Sequence, residues 1–294
     1  MKSRTAAGLY LRGILMGAAD LVPGISGGTI ALITGIYPRL IGSLAALDTR
    51  LLRLLIGGQF ALGWRRVDAA FLALLAAGIV TAIFSLAPLL AWLLQRFPIP
   101  VWAFFFGLIA TSVAALAIRQ TRPTPTSLAC LLAGAAAVLL LVMLPTLDAP
   151  TSSAALPAVF AVGCVASCAM LLPGISGSLL LLLIGFYEPT LQAVAARDLG
   201  YLLAFGSGAL AGLLAFSRLI CWLLNRHEQL ASMFLLGLLA GSLYPLWPWR
   251  SEAEPTAPVW PGELAEPMLA PALGAMFAAA LLAGLFTVYA EHRR

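Results

Sequence analysis

Charge is scarce in this chain, and its scarcity narrows the possible functions before any motif is read. Only 10% of the 294 residues are Asp, Glu, Lys or Arg, against 62% hydrophobic, and the mean hydropathy is +0.99. An ordinary soluble domain carries about 25% charged residues, so this composition excludes one and points to a polytopic membrane protein. Lysine is nearly missing: Lys2 is the single one among 17 basic residues. The net charge of +5 therefore rests on arginines, most of them in short loops. That pattern suits topology signalling across a bilayer, and no nucleic-acid partner is expected.

Histidine and cysteine are sparse as well. His227 and His292 stand in a short loop and at the C-terminal end, placed for solvation. Cys130, Cys164, Cys168 and Cys221 all lie in apolar segments, where a thiol behaves as a small hydrophobe. Cys164 and Cys168 share a helix face, but no His or carboxylate cluster accompanies them, so neither a metal site nor a cofactor is expected. The N-terminal run lacks the uninterrupted apolar core of a cleaved signal. Lys2 and Arg4 precede it and Gly17-Ala18-Ala19 imitates a cleavage site, yet Arg12 falls inside it, so the first segment is expected in the mature protein.

What is present in excess is apolar helix. A full span needs about 20 apolar residues to cross a hydrocarbon core of ~30 Å. Six segments qualify, at 69–95, 101–118, 127–147, 200–224, 230–247 and 269–290. Two longer apolar runs, 5–47 and 154–196, each contain an interruption. Most of the seven tryptophans fall near span ends, as an aromatic belt requires.

The interruptions are two copies of one motif: Pro23-Gly24-Ile25-Ser26-Gly27-Gly28-Thr29 and Pro173-Gly174-Ile175-Ser176-Gly177-Ser178-Leu179. Proline removes a backbone donor and glycine loosens the chain, so a helix is predicted to break at each. A shift of 150 residues superposes the two copies and also places Gly35 on Gly185 and Tyr37 on Tyr187. Further along, a shift of 130 relates Gly78 to Gly208, Trp92-Leu93-Leu94 to Trp222-Leu223-Leu224, and Gly107-Leu108 to Gly237-Leu238. The reading is a single all-α membrane domain built by duplication. Repeat 1 covers about 5–119 and repeat 2 about 154–248; each is a broken, re-entrant hairpin followed by two transmembrane helices. A connecting helix at 127–147 and a C-terminal helix at 269–290 complete about six full spans.

Arginine placement orients it. If each hairpin enters and leaves by one face, the cytoplasmic side receives both termini and the arginines from Arg50 to Arg66, while Arg96, Arg197 and Arg250 fall outside. Three crossings separate the hairpins, so the halves are expected to be inverted, which supplies similar half-sites facing opposite leaflets.

Irregular backbone at membrane depth survives only inside protein or against a wet cavity, so the breaks mark the candidate site. Helix starts there attract anions. Ser26, Gly27, Gly28, Thr29, Ser176, Gly177 and Ser178 are the expected anion-binding residues, for a phosphate or a carboxylate, the alternative being serines that cap their own helices. Asp20, three residues before Pro23, reads as a buried proton-coupling group, an arginine partner, or a cap; its counterpart in the second copy is Met170. Arg218, about six residues from its span end and so roughly 9 Å deep, either offers donors to a phosphate or snorkels to the interface. Arg39 and Glu188 follow the Gly-x-Tyr turns as gate or interface charges.

The run from Gly17 to Thr29 with Gly35-Ile36-Tyr37, and the second copy from Leu172 to Ser178 with Gly185 and Tyr187, resembles the polyprenyl-phosphate transporter family over nearly the whole chain. The resemblance implies return of undecaprenyl phosphate, the lipid carrier of cell-wall precursors, from the outer to the cytoplasmic leaflet of the bacterial plasma membrane. It implies a transporter and not an enzyme, with membrane lipid as surroundings. Coupling is a separate reading: Asp20 points to a proton gradient, with a sodium gradient, voltage drive and unassisted scrambling as open alternatives. The rival enzyme reading is undecaprenyl-diphosphate phosphatase, which also uses inverted hairpins with a Pro-Gly-x-Ser motif. There the serine is followed by arginine; here Ser26 and Ser176 precede glycine, and no Glu-x-x-x-Glu pair occurs. A small-anion carrier is the third reading, because helix starts bind small anions equally well.

Overall fold

In the computed structural model, residues 3–22, 25–120, 123–145, 155–251, 258–264 and 266–291 are described. Pro23 and Gly24 of the first motif lie outside these residues, as do Lys2, Arg122, Glu252, Glu254, His292, Arg293, Arg294 and the end of the 127–147 segment. The described residues form fourteen α-helices and no strand, in two compact units.

The first unit collects Met1–Leu32, Ile36–Ala82 and Leu144–Glu228. Its helices are α1 (Ser3–Asp20), α2 (Gly27–Ile33), α3 (Tyr37–Ala45), α4 (Thr49–Ile56), α5 (Phe60–Arg66) and the start of α6 (Ala69–Arg96). From the second half of the chain come α9 (Leu156–Leu171), α10 (Gly177–Leu183), α11 (Tyr187–Ala196) and α12 (Leu199–Arg226). Helix is interrupted at both motifs: α1 stops at Asp20 and α2 begins at Gly27, while α9 stops at Leu171 and α10 begins at Gly177. Gly35 and Gly185 then turn the chain at φ +73° and +74°, a left-handed conformation that glycine enters without a Cβ penalty. Past Gly185 the chain bends by 107° between α10 and α11.

Glycine also lets the helices of this unit touch backbone to backbone. A Cβ on Gly13 would strike the Leu75 carbonyl of α6, and one on Gly78 would strike the Tyr10 carbonyl of α1. The α9–α12 crossing repeats this with Gly163 against the Phe205 carbonyl and Gly208 against the Phe160 carbonyl. Gly13 and Gly163 are related by the 150-residue shift, and Gly78 and Gly208 by the 130-residue shift. One turn on, the small residue changes sides: Gly17 meets Ala82 in the first crossing, and Ser167 meets Gly212 in the second.

The second unit collects Ile33–Gly35, Ile83–Met143 and Gln229–Arg294. It contains the rest of α6 with α7 (Pro98–Ile118), α8 (Pro125–Met143), α13 (Glu228–Gly241) and α14 (Leu269–Glu291). Gly107 of α7 packs on the Met276 backbone of α14, and its counterpart Gly237 of α13 packs on the Leu131 backbone of α8. Beyond α13, buried Trp249 packs on Ala103 and Ala272. Trp247 sits edge-on to Phe106, Trp249 and Trp260. The indole N–H groups donate to Val259 O at 2.9 Å and Pro267 O at 2.7 Å, which satisfies them in an apolar setting.

Among the described residues, four helices are long and apolar enough to cross a membrane: α6, α7, α8 and α12, or five if the bent pair α10–α11 counts as one span. Six were expected from the sequence. The segment 230–247 is shorter than its hydropathy suggests, because helix ends at Gly241 and the chain continues in turns. Pro245 and Pro248 lack the backbone N–H that a longer helix would need, and each disfavours helix at the residue before it. The last segment forms α14 over the expected length, Leu269–Glu291.

Candidate functional site

The two motifs of the first unit are joined by hydrogen bonds. Breaking α9 leaves its last carbonyls without intrahelical donors. Two of them are served from the first motif's side: Ser26 Oγ donates to Met170 O at 3.0 Å, and Tyr37 Oη donates to Leu171 O at 2.9 Å. In return, Gly174 N donates to Thr29 Oγ1 at 2.8 Å. Gly174 holds φ +84°, a left-handed conformation that glycine enters without a Cβ penalty. Ser26, Thr29 and Tyr37 are all buried; the bonds of Thr29 and Tyr37 form away from competing solvent, and that of Ser26 is partly buried. Gly28 lies in the same seam, where an added Cβ would come within 3.1 Å of Met170 O and 3.2 Å of Leu171 O.

The start of α2 is already capped. Gly27 N donates to Asp20 Oδ1 at 2.6 Å, and Gly28 N donates to Ser26 Oγ at 3.1 Å. A carboxylate on these amides is favourable because the first N–H groups of a helix are unpaired and the dipole there is positive. Of the three roles open to Asp20, the cap is the one formed in this geometry. Its carboxylate packs closely on Gly27, where an added Cβ would come within 2.7 Å of Oδ2, while part of the residue reaches the surface of the unit. Asp20 sits at the last position of α1.

The second copy is built differently. Met170 replaces the acid, and Ser176, the residue before α10, makes no side-chain bond to that helix's amides. Its hydroxyl instead pairs with that of Ser178 at 2.8 Å. Ser176 and Gly177 are buried while Ser178 is exposed, so the hydroxyl pair reaches from the seam to the surface.

The other candidates stand elsewhere in the unit. Arg218 of α12 donates from Nη2 to Leu47 O at 2.9 Å, at the joint between α3 and α4, and not to a motif residue. Arg39 donates from Nε to Asp68 Oδ2 at 2.6 Å, and its guanidinium lies 4.2 Å from the centre of the Phe71 ring. Glu188 is exposed on α11 and accepts a long bond from Gln192 Nε2 at 3.4 Å. The structure thus brings Asp20, Ser26, Gly27, Gly28 and Thr29 together with the second motif. Arg218 and Arg39 are tied to the flanks. Tyr37, read from the sequence only as a marker of the repeat, is a full member of the seam. Its pairing with Tyr187 was visible; its partner Leu171 was not. No group of three or more His, Cys, Asp or Glu placed to hold a metal ion occurs among the described residues.

Comparison with known proteins bears on this arrangement. A family model described as VCA0040-like, undecaprenyl phosphate translocase-like, matches residues 16–258, which includes both motifs and the whole α9–α12 crossing. A polyprenyl-phosphate transporter of Vibrio cholerae serotype O1 is 45% identical over 242 residues, covering 82% of this chain and 77% of its own. A polyprenyl-phosphate transporter of Staphylococcus aureus is 34% identical over 253 residues, covering 81% of this chain and 85% of its own. Both relatives are named as transporters and not as enzymes. No solved structure matches.

Proposed function

Because this chain belongs to the VCA0040-like, undecaprenyl phosphate translocase-like family, we propose that it carries undecaprenyl phosphate from the outer to the cytoplasmic leaflet of the bacterial plasma membrane. In this reading both termini are cytoplasmic, and the motif-bearing segments are re-entrant hairpins of an inverted repeat. The phosphate sits at their tips and the isoprenoid tail stays in lipid. The observation that carries the proposal is the seam itself: two interrupted helices whose motifs meet through Ser26–Met170 and Gly174–Thr29.

The site residues divide by availability. Ser176 and Ser178 hold hydroxyls bonded to each other, and with Gly177 they form the half that takes phosphate first. Ser26, Gly27, Gly28 and Thr29 are engaged in cap and seam bonds, so they receive phosphate only as those bonds exchange. Ionised Asp20 on Gly27 N repels an incoming phosphate; a proton on Asp20 removes that repulsion, which makes it the coupling group. Arg218 would exchange Leu47 O for the phosphate during inward release, a charge-assisted bond being stronger than one to a neutral carbonyl. Arg39 and Glu188 act as gate charges.

The test uses purified protein in liposomes, following loss of undecaprenyl phosphate from one leaflet alongside phosphate release from the diphosphate. Translocation without phosphate release is expected. Phosphate release would replace the proposal with an enzyme, and movement of inorganic phosphate alone would replace it with a small-anion carrier.

A further inference from the structure

We propose that α4 and α5 form a basic interfacial hairpin that lies on the bilayer surface and binds anionic phospholipid headgroups, independently of which lipid the protein carries. Between Asp48 and Asp68 the chain contains four arginines, Arg50, Arg53, Arg65 and Arg66, and no acid. Over the same stretch Leu52, Ile56, Phe60, Leu62 and Trp64 are each more than half exposed, and α4 buries none of its residues. On α4, Arg50 and Arg53 are three apart and share one side, while Leu52, Leu55 and Ile56 share the other. A span would bury such arginines at high cost, and a water-exposed helix would waste its apolar side. An interfacial position satisfies both.

The hairpin is held together well enough to present this surface as a unit. Asp48 caps α4 by accepting from Arg50 N and Leu51 N, both at 3.0 Å, and pairs with Arg66 Nη2 at 2.6 Å where α5 ends. Gly58 turns the chain at φ +68°, and Gly63 of α5 sits against Leu51 and Leu55 of α4. Arg218 fixes the root of the hairpin through Leu47 O. With Arg66 committed to Asp48, the other three arginines of the stretch make no ion pair among the described residues and leave a charge complementary to phosphatidylglycerol and not to zwitterionic lipid.

The experiment places a polarity-sensitive fluorophore at Ile56→Cys in full-length protein whose native cysteines are replaced, in nanodiscs of phosphatidylcholine titrated with phosphatidylglycerol. We expect quenching by shallow nitroxide lipids and a shift as phosphatidylglycerol is added. Each Arg→Gln change at Arg50, Arg53 or Arg65 should move that titration by about fivefold, and Arg→Lys should leave it nearly in place. The shift should also weaken as salt rises. A fluorophore in water in both lipids, or a glutamine triple variant that titrates like the parent, overturns the proposal. The first of those results would make an acidic protein segment the better-fitting occupant. If the glutamine variant does not fold, the lysine variant and the salt series decide.

Discussion

Ser26 gives its hydroxyl hydrogen to the carbonyl oxygen of Met170, 144 residues away in sequence. Met170 is the residue that the 150-residue shift places on Asp20, whose carboxylate holds Gly27 on the first motif. One position of the repeat therefore does two jobs: as Asp20 it caps its own next helix with a side chain, and as Met170 it receives the other motif with its backbone.

Removing that hydroxyl should destabilise the protein. Ser26→Ala leaves Met170 O and Gly28 N unserved in a buried seam, at about 1–3 kcal/mol. Thermal unfolding of the purified protein should shift down accordingly. Ser178→Ala, at an exposed position, should change stability by less than about 0.5 kcal/mol while lowering undecaprenyl phosphate transport. Equal unfolding temperatures for the two variants would contradict the seam.

The glycine crossings should resist even one methyl. Gly208→Ala drives a Cβ into the Phe160 carbonyl, and Gly78→Ala into that of Tyr10, so each should cost roughly 1–3 kcal/mol through forced backbone movement. Gly42→Ala is the control, because nothing lies within 4 Å of its Cβ position. In the middle of α3 it should be neutral or stabilising by about 0.5–1 kcal/mol. Chemical unfolding in detergent ranks the three.

Asp20→Asn keeps an oxygen for Gly27 N but loses the charge. If Asp20 is the coupling group, transport by this variant should be nearly independent of pH across the range where the parent responds. A pH profile that follows the parent would remove Asp20 from that role and leave the cap.

Asp48 lies outside the spans, and its pH behaviour has a definite sign. The Arg66 guanidinium, aided by the Leu51 amide, lowers its carboxyl from 3.8 to about 2. A lowered carboxyl stabilises the fold above the ordinary value, and that contribution is lost as pH falls from 3.8 towards about 2. Hydrogen exchange at Arg50 and Leu51, corrected for intrinsic rates, should rise in that window. Asp48→Asn should show no such step.

Arg218→Ala should reduce transport about tenfold or more, the scale of losing a hydrogen bond to a charged group. Arg218→Lys keeps charge and one donor for Leu47 O and should retain most activity. Initial rates in liposomes separate the two.

Interruptions of helix were legible in the sequence because proline and glycine act locally, and so did the turns at Gly35 and Gly185. Where the freed backbone groups find partners was not legible. Leu171 serves Tyr37 and Met170 serves Ser26 through contacts across the fold, which no window of hydropathy contains. The same limit explains the 230–247 segment: hydropathy sums apolar residues without asking whether the backbone between Gly241 and Trp249 can stay helical. Arg218 was read from its distance to a span end, but its partner Leu47 is 171 residues away.

The paired glycines at Gly13–Gly78 and Gly163–Gly208 carry a mechanical consequence. Where two helices meet through carbonyls and Cα atoms, no rotamer can yield between them, so each crossing transmits displacement as a stiff girder would. Sliding within α1–α6 or α9–α12 is disfavoured, and any reshaping of the first unit must be absorbed by its compliant joints: the hydrogen bonds of the motif seam and the left-handed turn at Gly185.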